Sequence, residues 1–409
     1  MLNIRGKDVD YTPCVIGYVV VTLDQCTLFI DPAKVTEEGR AYMQRIGVHI
    51  QDYEDVFDFI KTATLKEQGQ RKKDNIAILM DGNRVNERLF EAAGQENVVV
   101  VTPSPVQVMM SIKNETEIAG EKEAHLIDGV AMVRFLRWLQ ATGNRIQDLN
   151  EIDLADKLHV FRMMDKRCLD DSFATIAGWQ GNGAIVHYHA EPGECATIKG
   201  DGVLLLDSGG QYLEGTTDIT RTLWIGNPAN IPANVKHDNT LVLKGHIALA
   251  KARFPKGTRG NQLDVLAHQF MWAEGITYGH GTGHGVGHFM CCHEGPANIR
   301  TDNNTNPIQM GNIFSDEPGI YRTNEYGIRI ENLVVTVEAK QTPHTTGETY
   351  YEFETITRCP YDKNLIDITM LTSEEKEWIN AYHAQVYADL APRLDADDQA
   401  WLYEQCKAL

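Results

Sequence analysis

Long apolar runs are missing from this chain of 409 residues. The extended apolar stretches, such as Val15–Val21 and Val98–Val101, are all short. A membrane-spanning helix needs about 20 apolar residues. The opening residues, from Met1 to Gly6, hold no apolar segment of the kind found in secretory signals. The sequence therefore predicts a cytoplasmic protein that has no membrane partner.

Basic residues are few relative to acidic ones, since 38 lysines and arginines face 57 aspartates and glutamates, which gives a net charge of −19 at pH 7. Such a surface repels phosphate backbones, so nucleic acid is not expected as a partner. The eight cysteines are irregularly spaced and form no CxxC motif, which favours free thiols over disulfides. Most of the acidic residues are expected on a solvated surface, and a few can hold cations.

Two domains are predicted, because 409 residues exceed what one ordinary core organises. Residues 1–112 alternate β-rich runs with helical segments, which indicates a small α/β domain with a mostly wound sheet. Residues 113–409 form a larger domain with a helical C-terminal tail, and the fold class is α+β. The predicted elements are strands at 14–21, 26–30, 75–80 and 98–101, and helices at 34–46, 52–64, 83–93, 115–140, 150–161, 234–254 and from 261 onward.

Two acidic residues lie on neighbouring β-rich stretches near the middle of the chain. The apolar run Leu204–Leu206 ends in Asp207 and a glycine turn follows, and the second predicted strand carries Asp218. Hairpin geometry can bring the two carboxylates side by side, where they repel each other unless protons or cations lie between them. Taken alone, the Asp207 segment also fits an ordinary turn.

A segment rich in glycine and histidine occupies positions 279–288, where every odd residue up to 287 is glycine. Each of these glycines would cost a helix about 1 kcal/mol relative to alanine, which excludes a helical zinc motif. An extended strand would instead have one bare face. Its other face would bear the larger side chains, namely His280, Thr282, His284 and His288. A single histidine is more often structural, but several on one strand, with His293 close behind, favour a binding site.

The third charged cluster lies on two stretches that follow position 313. Glu317 ends a predicted strand at a Pro-Gly turn. Arg329 and Glu331 are two residues apart, so they share a face of the next predicted strand. On its own, this segment fits a surface hairpin with an Arg–Glu ion pair equally well.

Together these stretches supply four carboxylates and one histidine as candidate metal ligands: Asp207, Asp218, His284, Glu317 and Glu331. Four carboxylates balance the charge of two divalent cations, so the set favours two metal ions over one. Oxygen ligands favour Mn²⁺, with Zn²⁺, Co²⁺ and Fe²⁺ as alternatives.

The chain resembles the aminopeptidase P family of pita-bread metallopeptidases, in its long three-domain form. The motifs that carry the resemblance are Asn182–Tyr188, Asp207–Gly209, Thr217–Thr222, Gly279–Gly287, His293–Pro296, Glu317–Tyr321 and Gly327–Asn332. The resemblance covers nearly the whole chain and implies a pita-bread catalytic domain at 113–409, a creatinase-type α/β domain at 1–112 and a homodimer. The family form has a further α/β domain ahead of the segment that resembles Leu2–Gly6, so we expect a truncated or a short form here.

The resemblance also implies a ligand arrangement. Asp218 and Glu331 would bridge two metal ions. Asp207 would bind one ion, and His284 and Glu317 would bind the other.

The remaining roles implied by the resemblance concern the substrate. His187, His280 and His293 would line its site and handle protons or hydrogen bonds, and Arg329 would support a ligand carboxylate. In the expected reaction, a hydroxide held between the two metals attacks the carbonyl carbon of an Xaa–Pro bond. A metal and His293 stabilise the oxyanion, and Glu317 carries the proton to the leaving group. The chain is thus expected to be a hydrolase that releases the residue before proline from peptides.

Two alternatives stay open. A prolidase, which cleaves Xaa–Pro dipeptides alone, has a closely similar core, although the three-domain resemblance and the tail after Cys359 favour the aminopeptidase. A pita-bread module that holds peptides without catalysis is the alternative from another class, and the presence of all five candidate ligands argues against it. Methionine aminopeptidase fits less well, because it usually has no domain like 1–112.

Overall fold

The computed structural model describes residues 2–70, 78–341, 344 and 346–409, and of residues 63–70 the backbone alone. The chain divides into two compact units, Met1–Met109 and Met110–Leu409. This division lies a few residues before the predicted boundary at 112. None of the helices in the described ranges is long and apolar enough to cross a bilayer.

The smaller unit is built from short strands and helices in alternation. In chain order its elements are β1 (Tyr18–Val21), β2 (Cys26–Phe29), α1 (Glu37–Arg45), β3 (Val48–Gln51), α2 (Asp55–Gln70), β4 (Ile78–Asp81), α3 (Glu87–Ala93) and β5 (Val98–Val101). The predicted hairpin is confirmed as the antiparallel pair β1–β2, and β3 joins β2 in parallel. Strands β4 and β5 form a separate parallel pair, so the described strands make two small sheets where we expected one. Residues 75–77 of the strand predicted at 75–80 lie outside the described residues.

Helix α4 (Pro105–Ser111) contains the division between the two units along the chain. The later helices are α5 (Glu115–Thr142), α6 (Glu151–Arg162), α7 (Ala233–Ala250), α8 (Gly260–Trp272), α9 (Ser373–Leu390) and α10 (Ala396–Cys406). Asn114 and Asn150 begin α5 and α6 with reciprocal side-chain caps, as expected of a capping box. The helix predicted to reach residue 254 ends earlier, because Phe254 pairs with Tyr351 in a strand.

The larger unit also contains the remaining strands. They are β6 (Cys168–Asp171), β7 (Ile176–Trp179), β8 (Gly202–Ser208), β9 (Gly210–Tyr212), β10 (Gly215–Thr216), β11 (Ile219–Ile225), β12 (Arg253–Pro255), β13 (Gly283–His284), β14 (Asn298–Ile299), β15 (Ile313–Asp316), β16 (Gly319–Arg322), β17 (Tyr326–Arg329), β18 (Asn332–Glu338) and β19 (Tyr350–Thr355). They pair in the orders β10–β9–β6, β11–β8–β7, β12–β19–β18–β15, β13–β14 and β16–β17.

Strand β8 lies between β7 and β11, and every residue of it is buried. Val203 packs in one core cluster with Val242 of α7. Leu204 and Leu206 pack in another with Leu154 of α6. The strand is covered on both faces, which explains its continuous apolar run.

Backbone hydrogen bonds join the stretches that carry the predicted site. Asp207 of β8 is opposite Thr220 of β11, and the N–H of Glu331 donates to the Thr220 carbonyl at 3.1 Å. The N–H of Glu317 donates to the Thr282 carbonyl at 2.8 Å. Segments far apart in sequence therefore end at one place in the larger unit.

Candidate metal centre

Asp207 and Asp218 lie side by side at one end of the β8–β11 pair. Asp207 is the second-last residue of β8, and Asp218 directly precedes β11. Both residues are buried, since Asp207 is 8% exposed and Asp218 is 3% exposed. Oδ2 of Asp207 accepts from Arg329, and Oδ1 of Asp207 has no hydrogen-bond partner within the described residues. A bound cation would satisfy a buried carboxylate oxygen that has no donor, so this atom fits a metal ligand.

His284 faces the carboxylates from β13. Its Nδ1–H donates to the carbonyl of Gly285 at 2.9 Å, so Nε2 is directed at the acids. Nε2 lies 3.3 Å from Oδ2 of Asp218 and 3.6 Å from Oε1 of Glu317. Burial alone would lower the pKa of His284, but Asp218 and Glu317 outweigh it and raise the pKa to about 9.

Glu331 completes the set from the connection between β17 and β18. Its Oε2 accepts from the Thr220 hydroxyl at 2.7 Å. Ligand atoms of Asp207, Asp218 and Glu331 lie within 4.8 Å of one another, and so do those of His284, Glu317 and Glu331. The five side chains that the sequence singled out as metal ligands are therefore adjacent.

The electrostatics of this group are those of crowded acids. Burial raises the pKa of Glu317 to about 7, against the opposing charges of His284 and Arg329. Burial and the neighbouring carboxylates raise the pKa of Glu331 well above its ordinary range. Burial disfavours the charged form of Asp218 too, but the hydrogen bond with His284 outweighs it and lowers this pKa. Carboxylates in such a group require protons or cations between them, and four carboxylates with one imidazole fit two divalent ions.

The predicted substrate histidines border the same cavity, which has a volume of about 640 Å³. His187 and His293 are exposed. The ring of His293 lies 4.3 Å from that of His284, centroid to centroid, and one of its nitrogens belongs to a group with Asp218 and His284. His280 has both nitrogens engaged, since Nδ1–H donates to Gly281 at 2.8 Å and Nε2 accepts from the Tyr321 hydroxyl at 2.7 Å.

Arg329 lies behind the carboxylates and contacts several of the residues around them. Its Nη2 donates to Asp207 at 2.5 Å, and its Nη1 donates to the Tyr321 hydroxyl at 2.8 Å. Tyr321 in turn donates to His280. Residue spacing could not indicate this role of Tyr321 beyond its place in the Glu317–Tyr321 motif, because the contact with Arg329 depends on the pairing of β16 with β17.

A thiol is the other neighbour that sequence reasoning missed. Cys292 is buried and its Sγ lies 3.1 Å from Oδ2 of Asp218. Its place directly before His293 in the sequence was the available signal.

The histidine segment differs from the strand predicted for it. Within residues 279–288, only Gly283–His284 forms a strand. Thr282 is buried and donates to Asp264 at 2.6 Å. His288 lies 3.1 Å from Glu121 and so does not join the carboxylates around His284. The prediction that one strand face bears all of these histidines is therefore wrong. Residues along the segment bond to different partners, so their side chains point in different directions.

Comparison with protein-family models identifies this architecture. The model described as metallopeptidase family M24 matches residues 119–338, more than half of the chain. The chain belongs to metallopeptidase family M24. The creatinase/prolidase N-terminal domain matches residues 1–117 of this M24 protein, and the C-terminal region of the same peptidases matches 349–409. The predicted α+β class with a pita-bread domain is thereby confirmed.

Curated relatives and solved structures narrow the position within M24. A probable Xaa-Pro aminopeptidase P of Laccaria bicolor is 41% identical over all of this chain, and one of Sordaria macrospora is 40% identical over 99% of it. The chain spans 63% and 66% of the length of these relatives. The structure of X-prolyl aminopeptidase from Caenorhabditis elegans, described as a cytosolic enzyme with a di-nuclear active site, matches the whole chain. The TM-score is 0.93 and the identity 36%, and the match covers 66% of that protein. Prolidase from Pyrococcus horikoshii, at 19% identity and a TM-score of 0.64 over 85% of this chain and 88% of its own, shares the fold.

Proposed function

We propose that this chain is a metal-dependent aminopeptidase that releases the N-terminal residue from peptides with proline in second position. The observation that carries the proposal is the convergence of five candidate ligands from distant stretches on one cavity. The activity named for the fungal relatives and for the nematode enzyme supports it. The description of the nematode protein as cytosolic also supports a cytoplasmic location.

Two divalent cations, with Mn²⁺ as the favoured ion, would be held by the five candidate ligands. The ligand group Asp207, Asp218 and Glu331 would hold one, and the group His284, Glu317 and Glu331 would hold the other. Asp218 also lies within reach of His284 and would contribute to the same centre. The preponderance of oxygen ligands supports Mn²⁺ over softer ions.

Such cations, when bound, lower the pKa of water and polarise a peptide carbonyl. The protein's own side chains would supply the other steps. Glu317 carries a proton from the attacking water to the leaving nitrogen. His293 donates a hydrogen bond to the oxyanion, for which its exposed ring beside His284 is suited. His187 contacts the substrate, and His280, held by Tyr321, forms the wall of the cavity.

We assign residues 1–112 to a creatinase-type domain and 113–409 to the catalytic domain, and we expect a homodimer.

Selectivity for proline has a chemical basis in the peptide bond itself. The proline nitrogen in an Xaa–Pro bond has no N–H, so a cavity shaped for the proline ring rejects ordinary peptide bonds.

The decisive experiment compares three substrates on one purified preparation whose metal content has been measured. They are an Xaa-Pro-Xaa tripeptide, the matching Xaa-Pro dipeptide and an Xaa-Ala-Xaa tripeptide, and release of the first residue is followed. Preferred cleavage of the proline tripeptide is expected. Cleavage of the dipeptide alone would make the chain a prolidase, and tight peptide binding without cleavage would make it a binding module.

A pair of matched variants ties the activity to the site. Asp218→Asn should lose both metal and turnover. Asp397→Asn removes a carboxylate that is 79% exposed on α10 and should change neither. Equal turnover in the two variants would refute the proposed ligands.

A further inference from the structure

A buried carboxylate away from the proposed metal ligands holds the loop that leads into the cavity. Glu151, at the start of α6, is fully inaccessible to solvent. Its Oε1 accepts from the backbone N–H of Trp179 at 2.7 Å. Its Oε2 accepts from the hydroxyl of Tyr188 and from the backbone N–H of Ala196, both at 2.7 Å. The proposed reaction makes no use of this carboxylate.

The segment 185–196 depends on these bonds for its position. It has neither helix nor strand, and Ile185, His187 and His189 are exposed along it. Its internal backbone hydrogen bonds are local turns, such as Tyr188 N–H to the Ile185 carbonyl at 3.0 Å. Loops with exposed backbone and few buried contacts open at low free energy, so a fixed position for His187 requires an anchor.

Tyr188 can serve as that anchor, because its two ends lie in different surroundings. The residue borders the cavity that contains the candidate metal ligands, and its hydroxyl reaches away to Glu151. The same hydroxyl accepts from the side-chain amide of Asn182 at 3.1 Å. His187 and His189, the neighbours of Tyr188, border the cavity as well. A hydrogen bond to a charged acceptor is among the stronger ones available to a side chain.

We propose that Tyr188 and Glu151 are positioning residues that fix the loop 185–196, and thereby His187, against bound peptide. This inference rests on the proposed function for its substrate. Glu151 also bonds to β7 through Trp179, so a purely structural role for Glu151 would affect folding. A role in positioning would instead change the behaviour of a Tyr188 variant, because the Tyr188 hydroxyl links the loop to the buried carboxylate.

The test uses Tyr188→Phe, which removes the hydroxyl and leaves Glu151 its bonds to Trp179, Ala196 and Asn182. Tyr403→Phe on α10, at an exposed position, is the matched control. We expect faster hydrogen exchange confined to 185–196 in Tyr188→Phe. We also expect a KM for Xaa-Pro-Xaa raised about tenfold with kcat changed less than KM, and metal content equal to the parent's.

Each outcome decides the matter. Parental exchange in 185–196, or a parental KM despite faster exchange, overturns the proposal, and so does a change that Tyr403→Phe reproduces. Glu151→Gln should show the same pattern more strongly, and the single hydroxyl deletion keeps the question open to test if Glu151→Gln fails to fold. If the parent cleaves none of the peptides, the proposed function fails, and exchange in 185–196 still decides whether Tyr188 fixes the loop.

Discussion

Nη2 of Arg329 donates a hydrogen bond of 2.5 Å to Oδ2 of Asp207, and only 2% and 11% of these side chains are exposed. Arg329 is thus a fixed cation inside the acid group. Its other donors reach the Tyr321 and Thr220 hydroxyls at 2.8 and 3.3 Å. One guanidinium therefore orients Asp207, Tyr321 and Thr220 at once, which a point charge could not do.

Arg329→Gln should lower the free energy of unfolding of the metal-free protein by roughly 3–5 kcal/mol, because it leaves Asp207 buried without its partner. Urea unfolding followed by tryptophan fluorescence reports on the relevant unit, since all six tryptophans lie after residue 109. Arg329→Lys keeps the charge but loses the fork, and should cost less. A Gln variant as stable as the parent would contradict the buried ion pair.

Two glycines of the histidine segment offer a matched pair of substitutions. A Cβ on Gly283 would lie 1.9 Å from the backbone oxygen of Ser315, whereas a Cβ on Gly279 would meet nothing within 4 Å. Gly283→Ala must separate His284 from β15, and we expect it to lower the free energy of unfolding by more than about 2 kcal/mol. Gly279→Ala should leave the urea midpoint nearly unchanged. Similar midpoints for the two variants would show that close approach is not what requires glycine here.

Sequence reasoning could predict the parts of the site that depend on local geometry. Asp207 and Asp218 flank a short β excursion, so their proximity follows from hairpin pairing. The distance from Asp218 to Glu331 does not, because it depends on the Glu331–Thr220 hydrogen bond between stretches far apart in the chain. The charge count made Glu331 a candidate ligand, but residue spacing could not show that it lies beside Asp218.

The histidine segment shows why pattern alone misleads. Alternating glycines predict a strand, but a strand exists only where partners are available. Gly283 pairs with Ile299, and Gly285 bridges to Phe314, so the run changes partner within two residues. Contacts such as that of Tyr321 with His280 depend on this tertiary arrangement, so residue spacing does not predict them.

Removal of metal should be visible in stability as well as in activity. Cations that bind the folded acid group stabilise it by mass action, by about 2.7 kcal/mol at a hundredfold excess over Kd. Chelation should therefore lower the melting temperature, and added Mn²⁺ should restore it with a logarithmic dependence on concentration. A protein of net charge −19 also attracts cations nonspecifically, so Asp218→Asn serves as the control. An equal Mn²⁺-dependent shift in both proteins would point to surface binding.

His383 provides a pH dependence away from the metal site. The residue lies on α9 and is fully buried, and its Nε2 accepts from the backbone N–H of Tyr361 at 3.1 Å. Burial, reinforced by the charges of Lys363 and Arg221, lowers the pKa of His383 to about 3. The neighbouring Tyr361 and Tyr382 rings enclose it. The folded protein therefore keeps this imidazole neutral at pH values where an unfolded chain protonates it.

The sign of the effect follows from proton counting. Between the unfolded pKa of about 6.5 and the folded value of about 3 the unfolded chain binds one more proton, so stability falls as the pH falls. At pH 5 this residue should cost about 2 kcal/mol relative to pH 7.5. His383→Gln, which retains an acceptor near Nε2, should lose that component. The free energies of unfolding of parent and variant should then run parallel above pH 7.5 and converge, or cross, below pH 6.5. If the two curves stay parallel down to pH 4.5, the buried imidazole titrates like an exposed one and the explanation is wrong.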